Sequence, residues 1–173
     1  MLRPALAVAA ATVLAAPAGA EIIAASADHY TLRHEATSTR SPGEMWQRLI
    51  DPAAWWSPDH TFSGDAANLS LDPRAGGLWR EDWADGSVSH GTVLSVIEGK
   101  MLRLDAPFGP LQGMGVTVIW TITIEPDGEG GSTVIFDEVA NGATASQLAR
   151  IAPAVDGVKG EAIARLVADE VDD

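Results

Sequence analysis

The residues best suited to chemistry cluster between Asp72 and Ile97, in the stretch DPRAGGLWREDWADGSVSHGTVLSVI. Asp85-Gly86 separates two alternating runs and predicts a two-residue type I′ turn, which requires positive φ at both central positions. With those two residues as the loop, Trp83 faces Val88, Glu81 faces His90 and Trp79 faces Thr92. Cross-strand partners share a face, so all six lie on one side of the hairpin, together with Leu94 and Val96. Arg80, Asp82, Ser89, Gly91 and Ser95 fall on the other side. The first face is the apolar one, and it places a carboxylate opposite an imidazole. Such a pair could move protons as a general acid and base, with Glu81 and His90 as the catalytic candidates. It could equally be a polar pair that satisfies itself within the sheet.

Several elements must position that hairpin. Residues 28–37 alternate as a strand, with Tyr30, Leu32, His34 and Ala36 on one side. Ser41-Pro42-Gly43-Glu44 has a capping serine, a proline at the first helical position and an acid in the first turn, so a helix starts there and buries Trp46, Leu49 and Ile50. Asp51-Pro52 opens a second short helix through Trp55, which Ser57-Pro58 ends. Leu69–Leu71 and Lys100–Asp105 read as short strands. Between them and a long strand at Val116–Glu125, the loop Pro107–Gly115 carries Phe108, Leu111 and Met114, either as a cavity rim or as a loop folded onto its own core. In the long strand Val116, Val118, Trp120, Ile122 and Ile124 alternate with threonines. Thr133–Ala140 follows as another strand, with Val134 and Phe136 inward. Two helices close the chain, Ala143–Ala152, halted by Pro153, and residues 154–171, which carry Val158, Ala162, Ile163, Leu166 and Val167 at helical spacing.

Residues 1–20 are expected to be a cleavable signal peptide. Arg3 is a short positive region, Ala5–Ala16 an apolar core shorter than the ~20 residues of a membrane span, and Pro17-Ala18-Gly19-Ala20 a small-residue cleavage site before Glu21. The remaining residues, 21–173, suffice for one domain. Without Arg3 they carry 10 basic against 24 acidic residues, a net charge of −14, which disfavours nucleic acid and anionic membrane surfaces as partners. A periplasmic or secreted location follows, with no stable membrane insertion after cleavage. There is no cysteine, so stability must come from an ordinary apolar core. His60 beside Asp59 reads as a solvated loop pair, because no HxH or HxxxH spacing accompanies it. No metal and no cofactor is expected.

Five motifs, at their spacing, resemble the START and polyketide-cyclase superfamily (SRPBCC). They are Ser41-Pro42-Gly43-Glu44-Met45-Trp46; Asp51-Pro52 with Trp55-Trp56; Ala75-Gly76-Gly77-Leu78-Trp79-Arg80-Glu81; Asp85-Gly86 followed by His90-Gly91-Thr92-Val93; and Gly130-Gly131-Ser132-Thr133. Nearly all of residues 21–173 is covered, and the chain is most similar to exported members, which share Pro153-Ala154-Val155-Asp156-Gly157-Val158 at the entry to the last helix. The resemblance implies an α+β helix-grip fold, with a curved antiparallel sheet of about seven strands around a C-terminal helix, two short helices after the first strand, and an apolar cavity between sheet and helix. Fold analogy does not bring a function with it. Two classes stand. One is an exported carrier or sensor that binds a small hydrophobic molecule, with Trp46, Trp79, Trp83, Phe108, Met114 and Trp120 as binding residues. The other is a cyclase- or dehydratase-type enzyme using Glu81 and His90. No nucleophile elbow, phosphate loop or dinucleotide fingerprint points to other chemistry.

Overall fold

Apolar–polar alternation is realised as one antiparallel sheet. The computed structural model describes residues 19–169. Its strands are β1 (Gly19–Ala25), β2 (His29–Ser38), β3 (Leu69–Leu71), β4 (Leu78–Trp83), β5 (Gly86–Ile97), β6 (Met101–Asp105), β7 (Thr117–Pro126) and β8 (Ser132–Asn141). They lie in the order β1-β2-β8-β7-β6-β5-β4-β3. The helices are α1 (Pro42–Leu49), the single turn α2 (Pro110–Gly113) and α3 (Leu148–Val167). The α+β class, the antiparallel sheet and the terminal helix are as expected, but the described residues form eight strands where about seven were expected. The extra one is β1, which pairs with β2 from Glu35 to Tyr30 and has no apolar–polar alternation to announce it. The expected leader lies outside the described residues, except that Gly19 and Ala20 open β1.

Ser41 caps α1 through the reciprocal Ser41–Glu44 box, satisfying amides that the first turn leaves free. The second short helix is a 3₁₀ turn, Pro52–Ala54, and another 3₁₀ turn follows at Pro58–His60. At the far end, α3 is one helix and not two. Pro153 lies inside it, where it forfeits a hydrogen bond and crowds the carbonyl four residues back, a cost of about 3 kcal/mol. Burial on both sides of the proline offsets this, because Leu148 and Ala152 pack with Tyr30, Leu32 and Val118, while Ala162, Ile163 and Leu166 pack with Trp46, Trp120 and Phe136. The sheet's inner face thus carries two apolar clusters, and α3 spans both.

The central hairpin departs from its expected register. Trp83 pairs with Gly86, so Ala84 and Asp85 form the loop and Glu81 faces Val88, not His90. No non-glycine residue there has positive φ, and Gly86 does not either, so the type I′ turn does not form. The slip conserves parity, and Trp79 and Glu81 stay inward. Two bulges then reshape β5. Between Ser89, paired with Arg80, and Gly91, paired with Trp79, His90 is an extra residue. Val93 therefore faces inward at 1% exposure while Leu94, expected inside, is 45% exposed. Leu94 is itself the second extra residue, since Val93 pairs with Leu104 and Ser95 with Arg103. This restores Val96 to the core side, where it is partly buried.

Candidate functional site

Glu81 and His90 are both buried, and His90 Nε2 lies 2.9 Å from Glu81 Oε2. The bulge aims the imidazole inward across the ladder, as bulges often re-aim a side chain. The carboxylate is also the anchor of a distant loop, because the Phe62 amide donates to Oε2 at 2.9 Å and the Ser63 amide donates to Oε1. Burial pushes the Glu81 carboxyl up, but the hydrogen bonds from Ser63, Phe62 and His90 outweigh it and hold the group below its ordinary value. A carboxylate only accepts, so His90 Nε2 carries the hydrogen and Nδ1 is the bare nitrogen. That Nδ1 is buried with no hydrogen-bond partner among the described residues. Burial also pushes the His90 pKa down, against the pull of Glu81. Phe108 stacks on the imidazole at 5.1 Å and 16°, and Phe62 leans on it at 5.8 Å.

A cavity of about 490 Å³ opens beside this pair, between the middle of α3, the His60–Phe62 segment and the Phe108–Leu111 loop. Its walls are mainly apolar: Trp56, Phe62, Phe108, Leu111, Ile151, Val155 and Val158. Glu138 and Lys159 are also in the wall. On β8 Glu138 falls between Phe136 and Ala140, and on α3 Lys159 falls between Ala152 and Ala162, so the pair marks the seam between the two apolar clusters. Lys159 and Glu138 are 3% and 2% exposed. Nζ lies 2.9 Å from Glu138 Oε2 and 3.1 Å from the centre of the Trp120 ring, a cation–π placement. Tyr30 donates to Glu138 Oε1 at 2.7 Å. Burial lowers the Lys159 pKa, opposed by Glu138, whereas burial and the Glu138 charge both raise that of Tyr30. His60, also in the cavity wall, pairs through Nε2 with Glu161 at 3.2 Å.

Of the expected binding residues, Phe108 lines the cavity. Trp46, Trp79 and Trp120 are buried in the main cluster, with Trp79 and Trp120 5.8 Å apart. Trp83 is half-buried, its ring closed over Gly86, and Met114 is 38% exposed. Glu81 and His90 stand beside the cavity and not in its wall. Glu138 and Lys159 were not anticipated. The signal was there: Glu138 has the same parity as Val134 and Phe136, and Lys159 precedes Ala162, Ile163 and Leu166 by three, four and seven residues, on the stripe that faces the sheet. Among the described residues, no group of three or more His, Asp or Glu is placed to hold a metal ion, and no helix is long and apolar enough to cross a membrane.

No family model and no curated protein matches the chain. Solved structures do resemble it. A conserved protein of unknown function from Enterococcus faecalis superimposes with a TM-score of 0.57 at 12% identity, covering 90% of this chain and 80% of that one. A protein from Rhodobacter sphaeroides gives 0.55 at 20% identity, covering 86% and 96%. A solution structure of a Thermobifida fusca protein gives 0.57 at 16% identity, covering 79% and 90%. The chain shares its fold with these proteins.

Proposed function

We propose that this chain is a binding protein of the START and polyketide-cyclase type, which holds a small hydrophobic molecule between α3 and the sheet in helix-grip fashion. One observation carries the reading: a mainly apolar cavity of about 490 Å³, within the range of small-molecule sites and furnished with a few polar groups. The enzyme alternative has less support, because Phe62 and Phe108 both pack on His90 and both lie in the cavity wall, which the pair does not reach. The reading includes export to the periplasm or medium, with residues 1–20 removed and Glu21–Ala25 still available to pair with β2. Protein purified from the periplasmic fraction should start near Glu21 by N-terminal sequencing, and solvent extraction should release an apolar compound detectable by mass spectrometry. An intact Met1 in the cytoplasm would sink the export reading. Failure to take up any neutral hydrophobic dye would sink the binding one.

A further inference from the structure

Lys159 Nζ and Glu138 Oε2 are buried, 2.9 Å apart, and neither is aligned for a hydrogen bond to any described residue. Glu138's other oxygen is taken by Tyr30, and the Trp120 face beneath Nζ offers a π cloud but no lone pair. Paired as ions, both atoms still lack a well-aligned hydrogen bond, and buried polar atoms in that condition are rare, because each forfeits its hydration. Two of them adjoin here, in residues that both line the cavity.

We propose that the molecule bound in this cavity is an alcohol or phenol on an apolar body, whose hydroxyl seats between Lys159 Nζ and Glu138 Oε2. This rests on the binding reading above and names the class of ligand. A hydroxyl accepts one hydrogen bond and donates another. Against an ammonium and a carboxylate, it accepts from Nζ and donates to Oε2. Should the proton pass from lysine to glutamate, it donates to the amine and accepts from the acid, so it fits either form of the pair. A hydrocarbon satisfies neither atom. A carboxylate could accept from Nζ but would bring a second negative charge beside Glu138. Trp56, Phe108, Leu111, Val155 and Val158 offer only apolar contact to the rest of the molecule.

The test is competition by naphthalene, 2-naphthol and 2-naphthoate against the neutral dye Nile red bound to the purified protein. Hydrogen bonds to charged groups predict that 2-naphthol displaces the dye at a concentration about tenfold or more below that of either other probe. Equal displacement by naphthalene and 2-naphthol, or strongest displacement by 2-naphthoate, overturns the hydroxyl assignment and leaves the binding function standing. No dye binding overturns both. A single K159M change would leave a buried carboxylate unpaired, whereas replacing both partners by apolar residues of similar size is commonly tolerated. In K159M/E138L, with folding checked by its melting curve, the preference for 2-naphthol over naphthalene should fall to about one. Retention of the preference in that variant would overturn the proposal, and the wild-type series decides the matter by itself if the variant does not fold.

Discussion

Replacing Glu81 by glutamine removes the tie between the sheet and the loop that forms one wall of the cavity. The carboxylate accepts from the Phe62 amide, the Ser63 amide and His90 Nε2. Glutamine keeps one accepting oxygen, turns an NH₂ toward a donor in place of the other, and loses the charge. Hydrogen bonds to charged groups contribute about 1.5–3 kcal/mol each, and at least one backbone amide loses its acceptor, so the expected cost is about 3 kcal/mol. For a chain of this size that lowers Tm by about 6–12 °C. The cost depends on pH. Glu81 is held below its ordinary value of 4.5, so the unfolded state binds more protons as the pH falls. The carboxylate's contribution is therefore complete above about 4.5 and lost as the pH drops through the depressed folded value. His90, pushed below its ordinary 6.5, also contributes a loss in acid, beginning as the pH falls under 6.5. Thermal melts should show the parent losing stability from pH 7 to pH 4 and E81Q melting below the parent at pH 7, and in the variant hydrogen exchange should accelerate at the amides of Phe62 and Ser63. A gap under about 1 kcal/mol at pH 7, or unchanged exchange at those two amides, would refute the anchoring role.

Trp120→Ala should cost about 3–5 kcal/mol in chemical denaturation, since the ring is fully buried and its loss adds a cavity to the lost transfer energy; a cost under about 1 kcal/mol would place the ring outside the core. Gly91→Ala should cost about 1–3 kcal/mol, because the new Cβ would lie 2.8 Å from Ala106 Cβ and 2.9 Å from the Asp105 carbonyl oxygen. An unchanged urea midpoint would argue against the close approach of β5 to Ala106.

The strands were legible wherever one face is buried and the other wet, as in β7, because the period of two is written directly in Val118, Trp120, Ile122 and Ile124. The α1 cap at Ser41 was equally plain. Residue direction survived an error in register at Glu81 because moving the loop from Asp85-Gly86 to Ala84-Asp85 shifts each pairing by two residues, an even number. It did not survive at Leu94, because a bulge is an odd shift and depends on what the neighbouring strand demands. Pro153 misled for a related reason: local backbone chemistry stops a helix there, and only burial on the sheet overrides it. The tie from Phe62 and Ser63 to Glu81 spans eighteen or more residues and uses backbone amides, which leave no mark on residue type. Lys159 was obscured by its chemistry, since a lysine on an apolar stripe is usually discounted, although its spacing placed it there.

The second bulge in β5 also bears on how this chain can change length over generations. Val93 pairs with Leu104 and Ser95 with Arg103, so Leu94 occupies no rung of its own, and its side chain is 45% exposed. Deleting this one residue would leave Val93, Ser95 and Val96 opposite their present partners, each facing the way it faces now. Most single-residue deletions inside a strand turn everything beyond them inside out. Here the sheet holds a spare position, and descendants of this sequence can lose or regain it without rebuilding the core.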